Sequence, residues 1–192
     1  SGPAHRFTQT HEREHTMTRR TLTAALAAAA FVAAAPALAD RVAVTIQTVD
    51  ANGVGTSLGT VVAEDTRRGV VFTPDLSGLT PGIHGFHVHT NPSCAPKEQD
   101  GKSVPALAAG GHYDPSGSGK HEGPWGDGHL GDLPALFVTA DGRSTHPVLA
   151  PRLRVSDLAG RSLMLHAGGD NHAVQPEKLG GGGARIACGV VR

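Results

Sequence analysis

The sequence predicts an all-β fold, an eight-stranded Greek-key β-sandwich or flattened barrel with two long functional loops. Glycine (26 residues) and proline (13) are abundant and only 4% of the residues are aromatic, a composition typical of short strands joined by ordered turns. No helical periodicity continues past residue 39, whereas short alternating apolar runs recur up to the C-terminus. Residues 40–192 are long enough for one domain with a substantial core.

The N-terminal half of this domain predicts four strands in a succession of hairpins. In the first strand Val42, Val44 and Ile46 alternate on one face, and the turn residues 50–53 follow. The four predicted strands cover 41–49, 58–63, 69–73 and a segment that ends with His87 and His89.

The C-terminal half predicts two long loops and four more strands. Residues 90–132 have almost no periodicity, and so long a loop in a compact domain needs a further constraint, for which metal ligands and a disulfide are the candidates. A second, glycine-rich loop covers 167–183. The remaining strands are predicted over 135–139, 144–149, 161–166 and 185–191, which completes the eight.

The N-terminal segment is predicted to lie outside the fold. Residues 1–16 are polar, unpatterned and begin without Met, as a non-native or upstream extension does. Residues 17–39 are typical of a signal peptide, with paired arginines, an apolar stretch over 22–35 and a small-x-small cleavage site before Asp40. That stretch is shorter than the roughly 20 residues that span a bilayer. We expect a periplasmic or secreted protein without a stable membrane anchor after cleavage, exported by either the Sec or the twin-arginine route.

Charge excludes one class of partner. Residues 1–39 hold four of the 17 basic and two of the 17 acidic residues, so residues 40–192 carry 13 basic and 15 acidic side chains, a net charge of −2. Proteins that bind nucleic acid normally present a basic surface, so a nucleic-acid partner is not expected.

Histidines are the main functional signal. His87 and His89 are two residues apart on a predicted strand and share one face, although a solvated strand with alternating polar residues would show the same pattern. Five further candidate ligands follow, namely His112, His121, His129, Asp132 and His166. Seven nitrogen or oxygen ligands are too many for one tetrahedral ion and suit two ions that share one ligand.

The two cysteines, Cys94 and Cys188, predict a disulfide. In an exported chain an even number of cysteines indicates a bridge, here between the first long loop and the last strand. Closing so long a loop contributes on the order of 4 to 5 kcal/mol in the chain-entropy model. The alternative is that both thiols are additional metal ligands, although structural zinc cysteines usually come in close pairs.

Four motifs together resemble the copper/zinc superoxide dismutases in their exported bacterial form. They are 85–89 (GFHVH), 110–115 (GGHYDP), 129–134 (HLGDLP) and 179–190 (LGGGGARIACGV). The resemblance runs from about residue 41 to the C-terminus and includes all seven candidate ligands, both cysteines and Arg185 in order.

This resemblance implies a role for each site residue. Copper would be held by four histidines and zinc by three histidines and one carboxylate, with His112 shared: His87, His89, His112 and His166 for copper, and His112, His121, His129 and Asp132 for zinc. Asp170 would link a copper histidine to a zinc histidine. Superoxide would be the substrate, Arg185 would bind it beside the copper, and His112 would release the copper and take up a proton during the reaction.

Other functions and assemblies are open at this level. A non-catalytic exported copper/zinc carrier on the same fold is the main alternative, because a fold does not determine an activity. A carrier would need neither Arg185 nor a bridging histidine that changes its ligation. A zinc hydrolase would need an open water position and a general base rather than seven ligands. Both a monomer and a homodimer are compatible with the sequence.

Overall fold

The computed structural model describes residues 40–192 and the isolated Gly2. Apart from Gly2, the predicted extension over 1–16 and the predicted signal peptide over 17–39 lie outside the described residues. Helical structure in 40–192 is limited to three short 3-10 turns, at Leu107–Ala109, Val155–Leu158 and Lys178–Gly181. None of them has the length and apolar character needed to cross a bilayer.

Eleven β-strands make up the described part of the chain. They are β1 (Arg41–Asp50), β2 (Gly53–Thr66), β3 (Gly69–Leu76), β4 (Gly82–His84), β5 (Phe86–His89), β6 (Lys97–Gln99), β7 (Lys102–Val104), β8 (Leu136–Val138), β9 (Val148–Ala150), β10 (Ser162–His166) and β11 (Arg185–Val190). Seven form one curled antiparallel sheet in the order β5-β10-β11-β1-β2-β3-β9. The other four form two antiparallel pairs, β4-β8 and β6-β7.

The predicted fold class is confirmed, and each of the eight predicted strands has a counterpart, although β2 is longer than the predicted 58–63 and β9 overlaps only the end of the predicted 144–149. The count is eleven because the strand that ends at His89 is divided at Gly85 and because the following loop contains the hairpin β6-β7. At Gly85 the chain changes from pairing with β8 to pairing with β10. The Gly85 amide donates to the Gly168 carbonyl at 2.8 Å and its carbonyl accepts from the His166 amide at 2.9 Å. The strand therefore changes sheets without leaving these backbone groups unpaired.

Apolar side chains from the large sheet and from β8 fill one continuous core. Val44 and Ile46, predicted on one face of the first strand, are both buried, and Val42 packs against them from the edge of the cluster. Phe72 and Phe86 meet edge to face with ring centroids 5.4 Å apart, a favourable aromatic geometry. Because Phe86 immediately precedes His87, the core fixes the strand from which the histidines project.

The first long loop is tied to the sheet by covalent and backbone bonds. The predicted disulfide between Cys94 and Cys188 is confirmed, with Cα atoms 5.7 Å apart, so neither thiol is a metal ligand. At β5 the Val88 amide donates to the Gly131 carbonyl at 2.9 Å, and the Val88 carbonyl accepts from the Tyr113 amide at 2.8 Å. These bonds bring two distant parts of the loop to the same strand.

Candidate metal centre

The seven predicted ligands meet around β5. This strand supplies His87 and His89, and isolated bridges place Asp132 opposite His87 and His112 opposite His89. The remaining ligands come from β10, which ends with His166, and from the long loop, which supplies His121 and His129. Each of the seven residues exposes at most 9% of its surface. The structure thus brings together all seven residues in a site shielded from water.

The first set, named here the four-histidine group, consists of His87, His89, His112 and His166. One ring nitrogen of each lies within 4.8 Å of the others. His87 Nδ1 and the Nε2 atoms of the other three are buried and have no hydrogen-bond partner within residues 40–192. Unpartnered buried polar atoms are costly, so four of them converging on one point fit a bound cation.

The outward ring nitrogens of this group bind fixed acceptors. In three of the four histidines the second nitrogen donates a hydrogen bond: His87 Nε2 to Asp170 Oδ2 at 2.7 Å, His89 Nδ1 to the Gly110 carbonyl at 2.9 Å and His166 Nδ1 to the Gly183 carbonyl at 3.2 Å. Such bonds set the tautomer and the ring orientation of a metal-binding histidine. The inward nitrogens are left with free lone pairs.

The second set, the three-histidine–aspartate group, surrounds a carboxylate oxygen. Three Nδ1 atoms approach Asp132 Oδ1, those of His112 at 2.8 Å, His121 at 3.0 Å and His129 at 3.2 Å. Ligands about 2.0 to 2.1 Å from a tetrahedral zinc ion lie about 3.3 Å from one another. The observed separations are slightly shorter, so a small expansion of the group would accommodate the ion.

His112 belongs to both groups. Its Nδ1 faces Asp132, whereas its buried Nε2 faces the four-histidine group and has no hydrogen-bond partner in the described residues. An imidazole can bind one ion through each nitrogen once both are deprotonated. The sharing of one ligand predicted from the number of candidate residues is therefore geometrically available at His112.

Burial keeps the four-histidine group uncharged. Burial lowers the pKa of His87 to about 3, with the charges of His112 and His166 adding to the effect and Asp170 opposing it. Burial also lowers the pKa of His166 to about 4, assisted by the charges of His112 and Arg185. The pKa of His89 falls well below its usual value for the same reason. Neutral imidazoles offer the lone pairs that metal binding requires.

The carboxylates of the site stay ionised. Burial alone would raise the pKa of Asp132, but hydrogen bonds and charges from His112 and His121 outweigh it and hold that pKa well below its usual range. Burial likewise disfavours a charged His121, yet hydrogen bonds to Asp132 and Asp170 raise its pKa to about 9. The two neighbouring carboxylates thus favour the protonated form of His121 in the metal-free group.

Asp170 connects the two groups. Its Oδ2 accepts from His87 Nε2 at 2.7 Å and its Oδ1 accepts from His121 Nε2 at 2.8 Å, with its side chain fully buried. The His172 amide donates to the same Oδ1 at 2.7 Å and fixes the carboxylate. Because Asp170 contacts the outward nitrogens, it orients ligands of both groups without belonging to either.

Arg185 is held beside the four-histidine group by the first long loop. Its Nη1 donates to the Ala106 carbonyl at 2.6 Å and its Nη2 donates to the Gly110 carbonyl at 2.7 Å. The Gly110 oxygen also accepts from His89 Nδ1 at 2.9 Å, so the guanidinium and the histidine share one acceptor. The guanidinium is half-buried and places a positive charge next to this group.

Sequence reasoning missed the groups that hold these side chains. The carbonyls of Ala106, Gly110 and Gly183 are backbone acceptors, so their residue types give no signal. The His172 amide is likewise a backbone group, whose bond to Asp170 leaves no signal in the residue type. His84 belongs to neither group, and its ring nitrogens lie 2.7 Å from the His166 carbonyl and 2.8 Å from the Thr80 carbonyl.

Comparison with known proteins supports the pattern of ligands. The family model for copper/zinc superoxide dismutase matches residues 57–191, which is more than half of the chain and includes every ligand and both cysteines. The chain belongs to the copper/zinc superoxide dismutase family. The resemblance inferred from the four sequence motifs is thereby confirmed, and the metals of the family are copper and zinc.

Bacterial members of the family are similar over most of their length. Cu-Zn superoxide dismutase 1 of Salmonella typhimurium (strain 4/74) is 60% identical over 142 residues, which cover 73% of this chain and 80% of the relative. The structure of the enzyme from Brucella abortus is 53% identical with a TM-score of 0.79, over 80% of this chain and 100% of the other. The solution structure of the monomeric enzyme from Salmonella enterica is 55% identical with a TM-score of 0.73 over the same shares.

Proposed function

We propose that this protein catalyses the dismutation of superoxide, with copper in the four-histidine group and zinc in the three-histidine–aspartate group. The observation that carries the proposal is the convergence of four unpartnered, buried imidazole nitrogens beside the Arg185 guanidinium. A site that only bound a metal would have no use for a positive charge at its edge. A site that binds an anion next to the metal needs one.

The donor sets suit different metals. Four imidazoles suit copper, whereas three imidazoles and one carboxylate suit tetrahedral zinc. Copper held by the four-histidine group would supply one-electron redox chemistry, and zinc held by the three-histidine–aspartate group would keep a fixed oxidation state and order the loop. Residues His87, His89 and His166 serve the first metal only, and His121, His129 and Asp132 serve the second only.

Arg185 binds and orients the substrate. Two of its N–H groups are occupied by the carbonyls of Ala106 and Gly110, so the guanidinium is positioned before superoxide arrives. A remaining N–H can donate a hydrogen bond to the anion. Because negative charge grows on the dioxygen as it is reduced, this charge-assisted bond strengthens along the reaction.

His112 moves a proton at Nε2. The complete reaction consumes two superoxide anions and two protons and produces one oxygen molecule and one hydrogen peroxide. Nε2 of His112 faces the four-histidine group, and Nδ1 stays with Asp132 in the other group. His112 can therefore take up a proton at Nε2 in one half of the reaction and donate it to the reduced dioxygen in the other, without losing its position.

Measuring superoxide decay tests this function directly. Protein loaded with copper and zinc should remove superoxide catalytically and produce one hydrogen peroxide for every two anions consumed. Metal-free protein is the control and should not accelerate the decay. A fully loaded protein that binds both metals yet leaves the spontaneous decay unchanged would be a carrier and would refute the proposed catalysis.

We also propose that the chain acts outside the cytoplasm, where it removes superoxide from the cell envelope. The support is the signal-peptide pattern over 17–39 and the disulfide between Cys94 and Cys188, a bond that persists in oxidising compartments. Fractionation of the producing bacterium followed by mass spectrometry should find the protein in the periplasm or the medium, beginning at Asp40. Recovery in the cytoplasm with residues 17–39 intact would contradict export.

A further inference from the structure

Arg152 lies outside every group described so far, yet it makes four side-chain hydrogen bonds. Its Nε donates to the Pro124 carbonyl at 3.1 Å and its Nη1 to the Gly128 carbonyl at 3.1 Å. Its Nη2 donates to two further carbonyls, those of Gly123 at 3.3 Å and His129 at 2.6 Å. Four of the five N–H groups of the guanidinium are thus used on one short stretch of backbone.

This stretch, residues 123–129, joins two ligands of the three-histidine–aspartate group. It begins two residues after His121 and ends with His129 itself. Its backbone is tightly folded, since a Cβ at Gly128 would lie 2.4 Å from the Lys120 carbonyl. Among the described residues, the main core cluster contains no side chain from 123–129. Pro124 is buried, but the stretch contributes no side chain to that core, so polar contacts are important in holding it in place.

Arg152 connects the stretch to a rigid part of the fold. It lies two residues after β9, which pairs with β3 at the end of the large sheet. Within residues 40–192 no carboxylate forms an ion pair with Arg152, so its charge is directed at the carbonyl dipoles of the loop. The planar guanidinium can reach several separate acceptors at once, whereas a lysine ammonium donates from a single atom.

The shortest of the four bonds acts on a ligand residue. The His129 carbonyl accepts from Arg152 at 2.6 Å, and the His129 amide donates to the Lys120 carbonyl at 2.8 Å. Both backbone groups of His129 are therefore fixed. Its Nδ1 then lies 3.2 Å from Asp132 Oδ1, although the His129 side chain is the most exposed of the zinc-side ligands, at 11%.

We propose that Arg152 is a positioning residue for zinc, which holds residues 123–129 closed so that His129 stays in the three-histidine–aspartate group. The inference rests on the proposed placement of zinc in that group. It assigns Arg152 an effect on zinc retention and on the geometry around the ion, and none on the four-histidine group.

Zinc release from the metal-loaded protein tests the proposal. Arg152→Gln should weaken zinc binding about 10- to 100-fold, the usual effect of losing a group that orients a ligand, and should release zinc to a coloured chelator correspondingly faster than the wild type. Arg152→Lys keeps the charge but loses the fork and should fall between the two. The matched control is Arg154→Gln, because Arg154 is exposed on the same segment and should release zinc at the wild-type rate.

Two further measurements distinguish a positioning role of Arg152 from a general loosening of both metal groups. Copper should be retained as in the wild type in both Arg152 variants, and cobalt(II) bound in place of zinc should show altered visible absorption in Arg152→Gln but not in Arg154→Gln. Unchanged zinc release with an unchanged cobalt spectrum would overturn the proposal, and so would equal acceleration of copper and zinc loss. If Arg152→Gln fails to fold, Arg152→Lys decides, and a wild-type release rate in that variant overturns the role of the fork.

These results are independent of superoxide decay. A wild type that lacks dismutase activity but shows Arg152-dependent zinc release would refute the proposed function and support this inference. An active wild type whose zinc release does not depend on Arg152 would do the reverse. A wild type in which cobalt does not occupy the group at all would overturn this inference and the placement of zinc in that group, whereas superoxide decay would still decide the proposed catalysis.

Discussion

Asp170 is a buried carboxylate that contacts two histidine rings. Each of its oxygens accepts a hydrogen bond from a histidine of a different group, so both oxygens must remain acceptors. Asp170→Asn keeps the shape but turns one oxygen into an NH₂ donor that faces an imidazole N–H. We expect metal affinity to fall about 10- to 100-fold, measured by competition with a chelator. Asp75→Asn, at an exposed carboxylate, is the control, and equal affinity in both variants would contradict the link.

Among the described residues, His112 is the one ligand that belongs to both groups. Removing it in His112→Ala deletes a donor from each group, so elemental analysis after dialysis should find less copper and less zinc. His146→Ala provides a control because His146 is exposed and packs only against Phe137 among the ring contacts of the described residues. Loss of one metal with full retention of the other would show that the imidazole is not shared.

At the scale of single residues, the sequence predicts the metal ligands better than it predicts the groups that orient them. His87 and His89 follow from strand alternation, and the positions of His112 and Asp132 follow from a motif. The partners that orient the rings are largely carbonyls, such as those of Gly110 and Gly183, which every residue type has. Their positions depend on tertiary structure and leave no mark on the residue identity.

At the scale of elements, the disulfide joins the first long loop to β11. The same loop carries the carbonyls of Ala106 and Gly110 that hold Arg185, which itself begins β11. In Cys94→Ser with Cys188→Ser we expect a loss of about 2 to 5 kcal/mol of stability, seen as a lower melting temperature. Activity per bound copper should also fall, since the support of Arg185 loosens.

Alkylation provides the complementary measurement on the disulfide. The unmodified protein should expose no reactive thiol before reduction, because both sulfurs are joined and buried. A melting temperature of the double serine variant equal to that of the wild type would show that backbone bonds alone order the loop.

Elements were predictable where periodicity was strong. The three N-terminal strands appear as expected, because alternating apolar residues such as Val44 and Ile46 specify which face is buried. The division at Gly85 was not foreseen, because a change of pairing partner depends on the neighbouring strands. The hairpin β6-β7 was missed because its six residues are mostly polar and exposed, without an alternating pattern.

At the scale of the whole molecule, the net negative charge of the protein opposes its encounter with superoxide. Residues 40–192 carry a net charge of −2 and superoxide is an anion, so fast capture depends on a local positive field, of which Arg185 is the proposed source. Salt should weaken the outer part of that field, since the Debye length falls from about 10 Å at 0.1 M to about 3 Å at 1 M. The second-order rate should therefore decrease as ionic strength rises, measured by pulse radiolysis.

Substitutions of Arg185 sharpen this prediction. Arg185→Ala should be slower at every salt concentration with copper and zinc content unchanged, and Arg185→Glu should be slower still because it repels the anion. Arg143→Glu reverses the charge of an exposed arginine paired with Asp75 and serves as the control. A wild-type rate that increases with salt would contradict electrostatic steering of superoxide. A fully active Arg185→Glu variant would show that Arg185 is not needed to bind the substrate.

The Gly110 carbonyl accepts from both His89 and Arg185, and this arrangement limits how the enzyme can be altered. A substitution that shifts the backbone at Gly110 is expected to disturb both the guanidinium proposed to bind superoxide and the proposed copper ligand His89. The rate of superoxide capture and the reduction potential of the bound copper are then expected to vary together. Across a library of variants in residues 106–111, the capture rate plotted against the reduction potential should follow a single curve. Selection for a change in one of them should therefore also change the other.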